Sequence, residues 1–418
     1  MKITDIETIL LTGPCTLDPY LSEARPVRSA AFIKIKTDCG LTGIGETYAG
    51  YFFPEVIPET VNFFKPVLIG QDVENIPDLW EKMYHCANFW SRVGLGATVL
   101  CGIEAALWDL RGKELGLPVY KILREKWEKE FLFADNLPNT SHIHTQLPCY
   151  ATGGPSNYPI EKLAEKVAYY CSLGFKGVKI GAGAYEKATG FYIPLLPEEA
   201  AEFEVRKIEF IRKQFGADLW LMLDAHIGNS PKTWGLETAS AVAIALEPYD
   251  LFFLEEPLHY TRPDLYSELC RISRTPIAGG ECLTAVCEWQ TFIEQDSFHI
   301  GQPDASFMSG MDQFMKVAAM LNRKERKIAP HAWGAGASQM QNIHCGFACP
   351  NTTILEVAPA YGPLHSEIIG DSLQIKNGYV LPPEKPGLGI ELTEDTIRRF
   401  PFVPGAGEFN SVPGKILK

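Results

Sequence analysis

The chain has 418 residues, with 38 Lys+Arg against 51 Asp+Glu for a formal charge of −13, 46% hydrophobic and 21% charged residues, and a mean hydropathy of −0.04, the composition of a globular protein with chain enough for a large core. An acidic balance without a Lys/Arg-rich run argues against nucleic acid as a partner, and no apolar stretch approaches the roughly 20 residues a membrane helix needs. The start, Met1-Lys2-Ile3-Thr4-Asp5 before a short Ile9–Leu11 apolar run, lacks the features of a signal peptide. The eleven cysteines include no C-x-x-C, which indicates neither a disulfide framework nor a zinc knuckle. A cytoplasmic protein with most of its cysteines reduced in the core is expected.

Residues 27–50 read as two strands around a turn: Ser29 to Thr37, then Asp38-Cys39-Gly40, then Leu41 to Glu46. The run Gly96 to Leu115 places Ala97, Leu100, Ile103, Ala106, Leu107 and Leu110 on one stripe with Asp109, Arg111, Lys113 and Glu114 largely opposite. That is the period of a packed amphipathic helix, ended by Gly116 and Pro118. Residues 1–125 therefore read as an α+β unit.

From Leu147 the grammar changes to short apolar strands: Pro148–Ala151, Gly177–Gly181, Leu219–Asp224, Leu251–Glu255, Pro276–Gly280, Phe298–Gln302, Lys327–Pro330 and Thr353–Glu356. Helical segments such as Ile160–Ser172, Pro197–Phe215, Glu237–Leu246, Asp312–Leu321 and Gly336–Phe347 alternate with them, as in a closed parallel α/β barrel. The expected organisation is an N-terminal cap (1–125), a TIM-type barrel (126–385) and a segment (386–418), rich in proline at 401, 404 and 413, that returns to the cap.

Each expected strand from the second onward ends on or beside an ionisable residue: Lys179, Asp224, Glu255, Glu281, Asp304, His331 and Glu356. From Asp224 the intervals are 31, 26, 23, 27 and 25 residues, about one βα unit each, so these groups would share the C-terminal mouth where such barrels carry their active sites. A carboxylate at a strand end is more often a helix cap, but six in consecutive register are harder to explain that way. Asp224, Glu255 and Glu281 offer only oxygen, the ligand set of a hard ion such as Mg²⁺, and would repel one another without a cation. Asp304 one strand before His331 can orient the imidazole and raise its basicity, making His331 a candidate general base. Lys179 suits a substrate carboxylate, or acts as a base if desolvated.

The motifs Gly102-Ile103-Glu104-Ala105-Ala106-Leu107-Trp108-Asp109, Leu254-Glu255-Glu256-Pro257, Gly279-Gly280-Glu281, Pro303-Asp304, Pro330-His331 and Leu355-Glu356 together resemble the mandelate racemase group of the enolase superfamily over nearly the whole chain. The resemblance implies an α+β cap over a (β/α)₇β barrel, one Mg²⁺, and removal of the proton α to a carboxylate to give a metal-stabilised enediolate, a general pattern for the superfamily.

Two departures narrow it. Racemising members carry Lys-x-Lys on the second strand, where this chain has Lys179-Ile180-Gly181, so one of two opposed bases is missing. The third strand ends Asp224-Ala225-His226, which looks like the galactonate and mannonate dehydratases of the group, where the histidine protonates the departing hydroxyl. Two residues from Asp224, His226 would also lie on the same side of the strand. The resemblance thus implies a dehydratase taking a sugar acid to a 2-keto-3-deoxy acid, expected as a homo-oligomer. A cycloisomerase or epimerase working through the same enediolate and a non-catalytic barrel are the alternatives. The family's Leu-Gly-Gly after the cap helix is replaced by Ile122-Leu123-Arg124-Glu125-Lys126. Substrate selection is expected from Asp18–Arg25, Tyr48–Glu55, Trp90 and Arg92.

Overall fold

The computed structural model describes residues 1–22, 26–131, 144–153, 159–184, 193–226 and 234–405. The cap opens with an antiparallel sheet of β1 (Ile3–Pro14), β2 (Val27–Thr37) and β3 (Thr42–Thr47), with a single helical turn, α1 (Pro19–Ser22), after β1. The last two are the strands expected from residues 27–50. Strand β1 was not expected, because its apolar residues Ile3, Ile6 and Ile9 recur every third position and its register shifts between Ile3 and Asp5, which blurs the period-two signal.

Helices α2 (Ile57–Leu68) and α4 (Leu95–Leu115) pack against the sheet, and α3 (Ile76–Ser91) packs on those two helices. Strand β3 crosses α4 so closely that a Cβ on Gly43 or Gly45 would fall 2.1 Å from the carbonyl of Ala106 or Gly102. Helix α4 corrects the amphipathic reading: Asp109, expected opposite the apolar stripe, is fully buried. Its carboxylate accepts hydrogen bonds from Ile44 N (2.9 Å) and Leu388 N (2.8 Å) and pairs with Lys113, so a buried charge is satisfied rather than solvated. Helix α5 (Val119–Phe131) carries Ile122–Lys126, and the 125/126 boundary falls within it.

All eight expected barrel strands form: β4 (Leu147–Ala151), β5 (Gly177–Gly181), β6 (Trp220–Asp224), β7 (Phe253–Glu255), β8 (Ile277–Gly279), β9 (Ile300–Gly301), β10 (Lys327–Ile328) and β11 (Leu355–Val357). They pair in parallel in that order; β11 pairs back to β4, and a parallel bridge from Ile328 to Thr352 closes the ring. Between and after them run α6 (Ile160–Ser172), α7 (Pro197–Phe215), α8 (Leu236–Ala245), α9 (Pro263–Ile272), α10 (Val286–Glu294), α11 (Met311–Arg323), α12 (Ala337–Ala348) and α13 (Pro363–Ile369). A hairpin, β12 (Ile375–Lys376) and β13 (Tyr379–Val380), pairs with the start of β4, and α14 (Glu394–Arg399) follows. The C-terminal segment bonds to the cap: Thr12 N donates to Phe400 O and Val403 N to Thr12 Oγ1.

An apolar floor fills the barrel, made by Tyr150, Met222, Phe253, Ala278, Ile300, Ala329 and Ile354. Side chains two apart on a strand share a face. Each of Met222, Phe253, Ile300, Ala329 and Ile354 therefore places the residue two further on, Asp224, Glu255, Gln302, His331 or Glu356, in the layer above. Five cysteines (15, 101, 149, 345, 349) are buried, three (171, 270, 282) half-buried and three (39, 86, 287) exposed, all free, so fewer sit in the core than expected. Among the described residues no helix is long and apolar enough to cross a membrane.

Candidate active site

Six of the eight expected site residues are buried at the barrel mouth; Glu281 and, more so, His226 are partly exposed. The alternation that raises Asp224 and Glu255 from the floor does not raise Glu281, three residues beyond Ala278. The extra residue is Gly280 at φ +106°, a conformation glycine adopts without strain, which turns Glu281 inward.

Lys179 is the hub of one half of the site. Its Nζ lies 2.6 Å from Glu255 Oε1, 3.0 Å from Glu356 Oε1 and 3.4 Å from Asp224 Oδ2. Burial alone would lower its pKa, but Glu255 and then Glu356 drive it well above the ordinary lysine value, so the amine is held as a cation. Glu255 also accepts Gln302 Nε2 at 2.7 Å, while burial and then Asp224 push its carboxyl well up. Glu356 turns its other oxygen to Ala332 N at 3.0 Å, fixing the residue after His331.

The other half is built on Glu281. His226 Nδ1 lies 3.5 Å from its Oε1 and His331 Nε2 lies 3.4 Å from its Oε2. The opposite ring nitrogen of His331, Nδ1, meets Asp304 Oδ2 at 2.7 Å. Burial would lower the imidazole's pKa, yet Glu281, Glu356 and Asp304 raise it to about 10. Burial would likewise raise Glu281, but His331, His226 and Lys179 bring it down to about 2. The Asp304–His331 pairing expected from the sequence is therefore present. His226 is not in plain strand geometry: it adopts φ +47°, and Glu256 after the next strand adopts φ +42°, the strained backbone that clusters at functional sites.

The residues suit a divalent cation. Asp224 Oδ1 and Glu256 Oε2 are buried without a hydrogen-bond donor among the described residues, and such lone pairs in an anionic pocket need a cation or a proton. The donor arrangement differs from the expected triad. Among the described residues the group whose donor atoms all lie within 4.8 Å of one another is His226, Glu256 and Glu281. Asp224 and Glu255 gather on Lys179 instead, because a buried ammonium draws them as a cation would.

Sequence reasoning missed Glu256, which strand alternation sends outward but its left-handed backbone turns back. It also missed Gln302, Ser306 and Asn342, which hold the acidic residues and have no periodic signal. Tyr48, in an expected selection segment, lies 5.7 Å from the His331 ring, centroid to centroid. Trp90, by contrast, meets Phe63 of α2 at 5.3 Å. Of the segment Asp18–Arg25, residues 23–25 lie outside the described residues.

A capped barrel with carboxylates and a His–Asp pair at its mouth is the enolase-type architecture. Residues 162–396 match the model for "Enolase C-terminal domain-like" and residues 6–123 that for "Mandelate racemase / muconate lactonizing enzyme, N-terminal domain". The chain belongs to the mandelate racemase/muconate lactonizing enzyme family of the enolase superfamily. Among its relatives, an arabinonate dehydratase of Saccharolobus solfataricus is 28% identical over 88% of this chain and 89% of its own. A D-galactonate dehydratase of Ralstonia pickettii is 28% identical over 87% and 88%. The 3,6-anhydro-D-galactonate cycloisomerase of Zobellia galactanivorans superposes with a TM-score of 0.78 at 26% identity, over 96% of this chain and 99% of that one.

Proposed function

We propose that the protein is a Mg²⁺-dependent sugar acid dehydratase that converts an aldonate or aldarate to its 2-keto-3-deoxy acid. The observation that carries the reading is the pair of imidazoles about Glu281, one backed by Asp304 and the other not. Asp224, Glu255 and Glu281, with Glu256 beside them, would hold the cation, which when bound would offset the charge on the substrate carboxylate. His331 takes the α-proton at Nε2, and Asp304 at Nδ1 fixes the ring and stabilises its protonated form. Lys179, kept protonated by three carboxylates, balances negative charge rather than acting as a base. With Gly181 in place of a second lysine, the opposed base that racemising members carry on this strand is missing, which disfavours racemisation and epimerisation. His226 gives a proton to the departing 3-hydroxyl, which leaves as water, and the enol tautomerises to the 2-keto acid.

The dehydratase relatives support this reading. The cycloisomerase neighbour supports a second, in which the leaving oxygen belongs to the substrate's own ring. The discriminating experiment incubates the protein with Mg²⁺ and a panel of aldonic, aldaric and anhydro sugar acids, trapping 2-keto-3-deoxy products with semicarbazide. Release of water with one acyclic acid supports dehydration; turnover of ring-closed acids alone transfers the assignment to cycloisomerisation.

A further inference from the structure

The loop that carries each member of the Asp304–His331 pair is bonded to the cap as well as to the barrel. Asp304 uses Oδ2 for His331, and its Oδ1 accepts Ser306 N, Ser306 Oγ and Asn342 Nδ2, each at 2.7 Å. Asn342 lies on α12 and also accepts Ala305 N through its Oδ1 at 2.7 Å. Its neighbour Gln341 faces the other way, and Gln341 Oε1 accepts Glu46 N of β3 at 2.8 Å. One turn of α12 thus touches the cap sheet with one side chain and the carboxylate behind the base with the next.

Glu46 completes the join. This fully buried carboxylate accepts Ala335 N at 2.7 Å through Oε1 and Ser338 N at 2.9 Å through Oε2, so it clasps the four residues between the His331 loop and α12. The clasp leaves no slack. Gly334 sits at φ +141°, where a Cβ would come within 1.9 Å of Ser338 Oγ and 2.8 Å of Glu46 Oε1. Ser338 Oγ ties back to Trp333 O at 2.8 Å, and Tyr361 Oη donates to Gly334 O at 2.6 Å. On the Asp304 side, Tyr48 N donates to Ser306 O at 2.9 Å, a second bond from the same cap segment two residues beyond Glu46.

We propose that the first turns of α12 form a rigid coupling through which the cap sets the orientation of His331, with Glu46 joining them to the cap and Asn342 joining them to Asp304 as positioning residues. Neither touches the reacting atoms. The inference rests on the reading of His331 as the base, and its consequence is that catalytic competence depends on how the cap seats on the barrel, because a misplacement near 1 Å can cost about 10²-fold.

The test uses the full chain with Mg²⁺ and its best sugar acid. Glu46→Gln keeps the shape and one acceptor oxygen but presents an amide N–H₂ to one of the two backbone donors. Expected are a melting temperature and circular dichroism close to wild type, a KM within about threefold, and a kcat lower by about 10- to 100-fold. Deuterium exchange at C2 should fall by the same factor, since the base itself is misplaced. Asn342→Ala should act on the same path, so the double variant should lose less than the product of the two single losses. If Glu46→Ala fails to fold, the Gln variant still decides. An unchanged kcat in Glu46→Gln, a rise in KM alone, or fully multiplicative losses overturns the coupling. His331→Asn run in parallel separates the failures: retained C2 exchange there removes the base assignment, whereas lost exchange there with normal kcat in Glu46→Gln removes the coupling alone.

Discussion

Replacing Lys179 with methionine removes one positive charge and preserves most of the side chain's volume. Nζ lies within 3.4 Å of three carboxylates, Glu255, Glu356 and Asp224, and removing one partner of a buried ion pair costs about 3–5 kcal/mol. With an unfolding entropy of about 2.1 cal/mol/K per residue, the 418-residue chain gives about 1 °C per kcal/mol, so the variant should melt about 3–6 °C lower at pH 8 in EDTA. The sign with pH follows from the stranded carboxylates. Burial already raises Glu255 and Asp224, and without the ammonium they rise further, so the protonated form favours folding and its contribution is lost as pH climbs. The deficit against wild type should therefore shrink towards pH 5 and be partly repaired by millimolar Mg²⁺. Differential scanning calorimetry at the two pH values, with and without Mg²⁺, reads this directly. Equal melting at pH 8, or a deficit independent of pH and metal, would refute the countercharge account.

His226→Asn should keep Mg²⁺ affinity and measurable C2 exchange while product formation drops about 10²–10⁴-fold, seen by proton NMR of substrate and product in one tube. In metal-free protein the His331 ring should titrate near 10, because Glu281, Glu356 and Asp304 hold its proton. Saturating Mg²⁺ competes for Glu281 and should shift the titration down, observable with ¹⁵N-histidine labelling. Burial and then Asp312 lift Glu104 to about 8. A carboxyl raised in the fold contributes stability fully below its unfolded pKa near 4.3 and loses it as pH rises through about 8. Denaturant midpoints should thus fall over that window in wild type and flatten in Glu104→Gln.

What was legible in the sequence was what repeats. The barrel strands announced themselves because one βα unit separates each ionisable strand end from the next. Strand β1 was hidden by its bulge and its three-residue apolar spacing. Asp109 and Glu104 were hidden because a helix buried on nearly every side satisfies its charges with backbone amides far away in sequence, Ile44 and Leu388 for Asp109 and Met311 and Asp312 for Glu104. Glu256 was hidden for a local reason: its left-handed backbone carries into the mouth a side chain that alternation sends elsewhere. The contacts around the base were beyond reading, since Gln341 and Glu46 lie 295 residues apart and nothing periodic links them.

In the proposed mechanism one base, His331, works on one face of the substrate and His226 then expels the hydroxyl. Turnover in D₂O with Mg²⁺, followed by proton NMR at C2 and C3, tests it most directly. Expected are a 2-keto-3-deoxy product deuterated at C3, recovered substrate of unchanged C2 configuration, and loss of both exchange and product in His331→Asn. Deuterium appearing in both C2 epimers at similar rates, or full exchange surviving in His331→Asn, would contradict it.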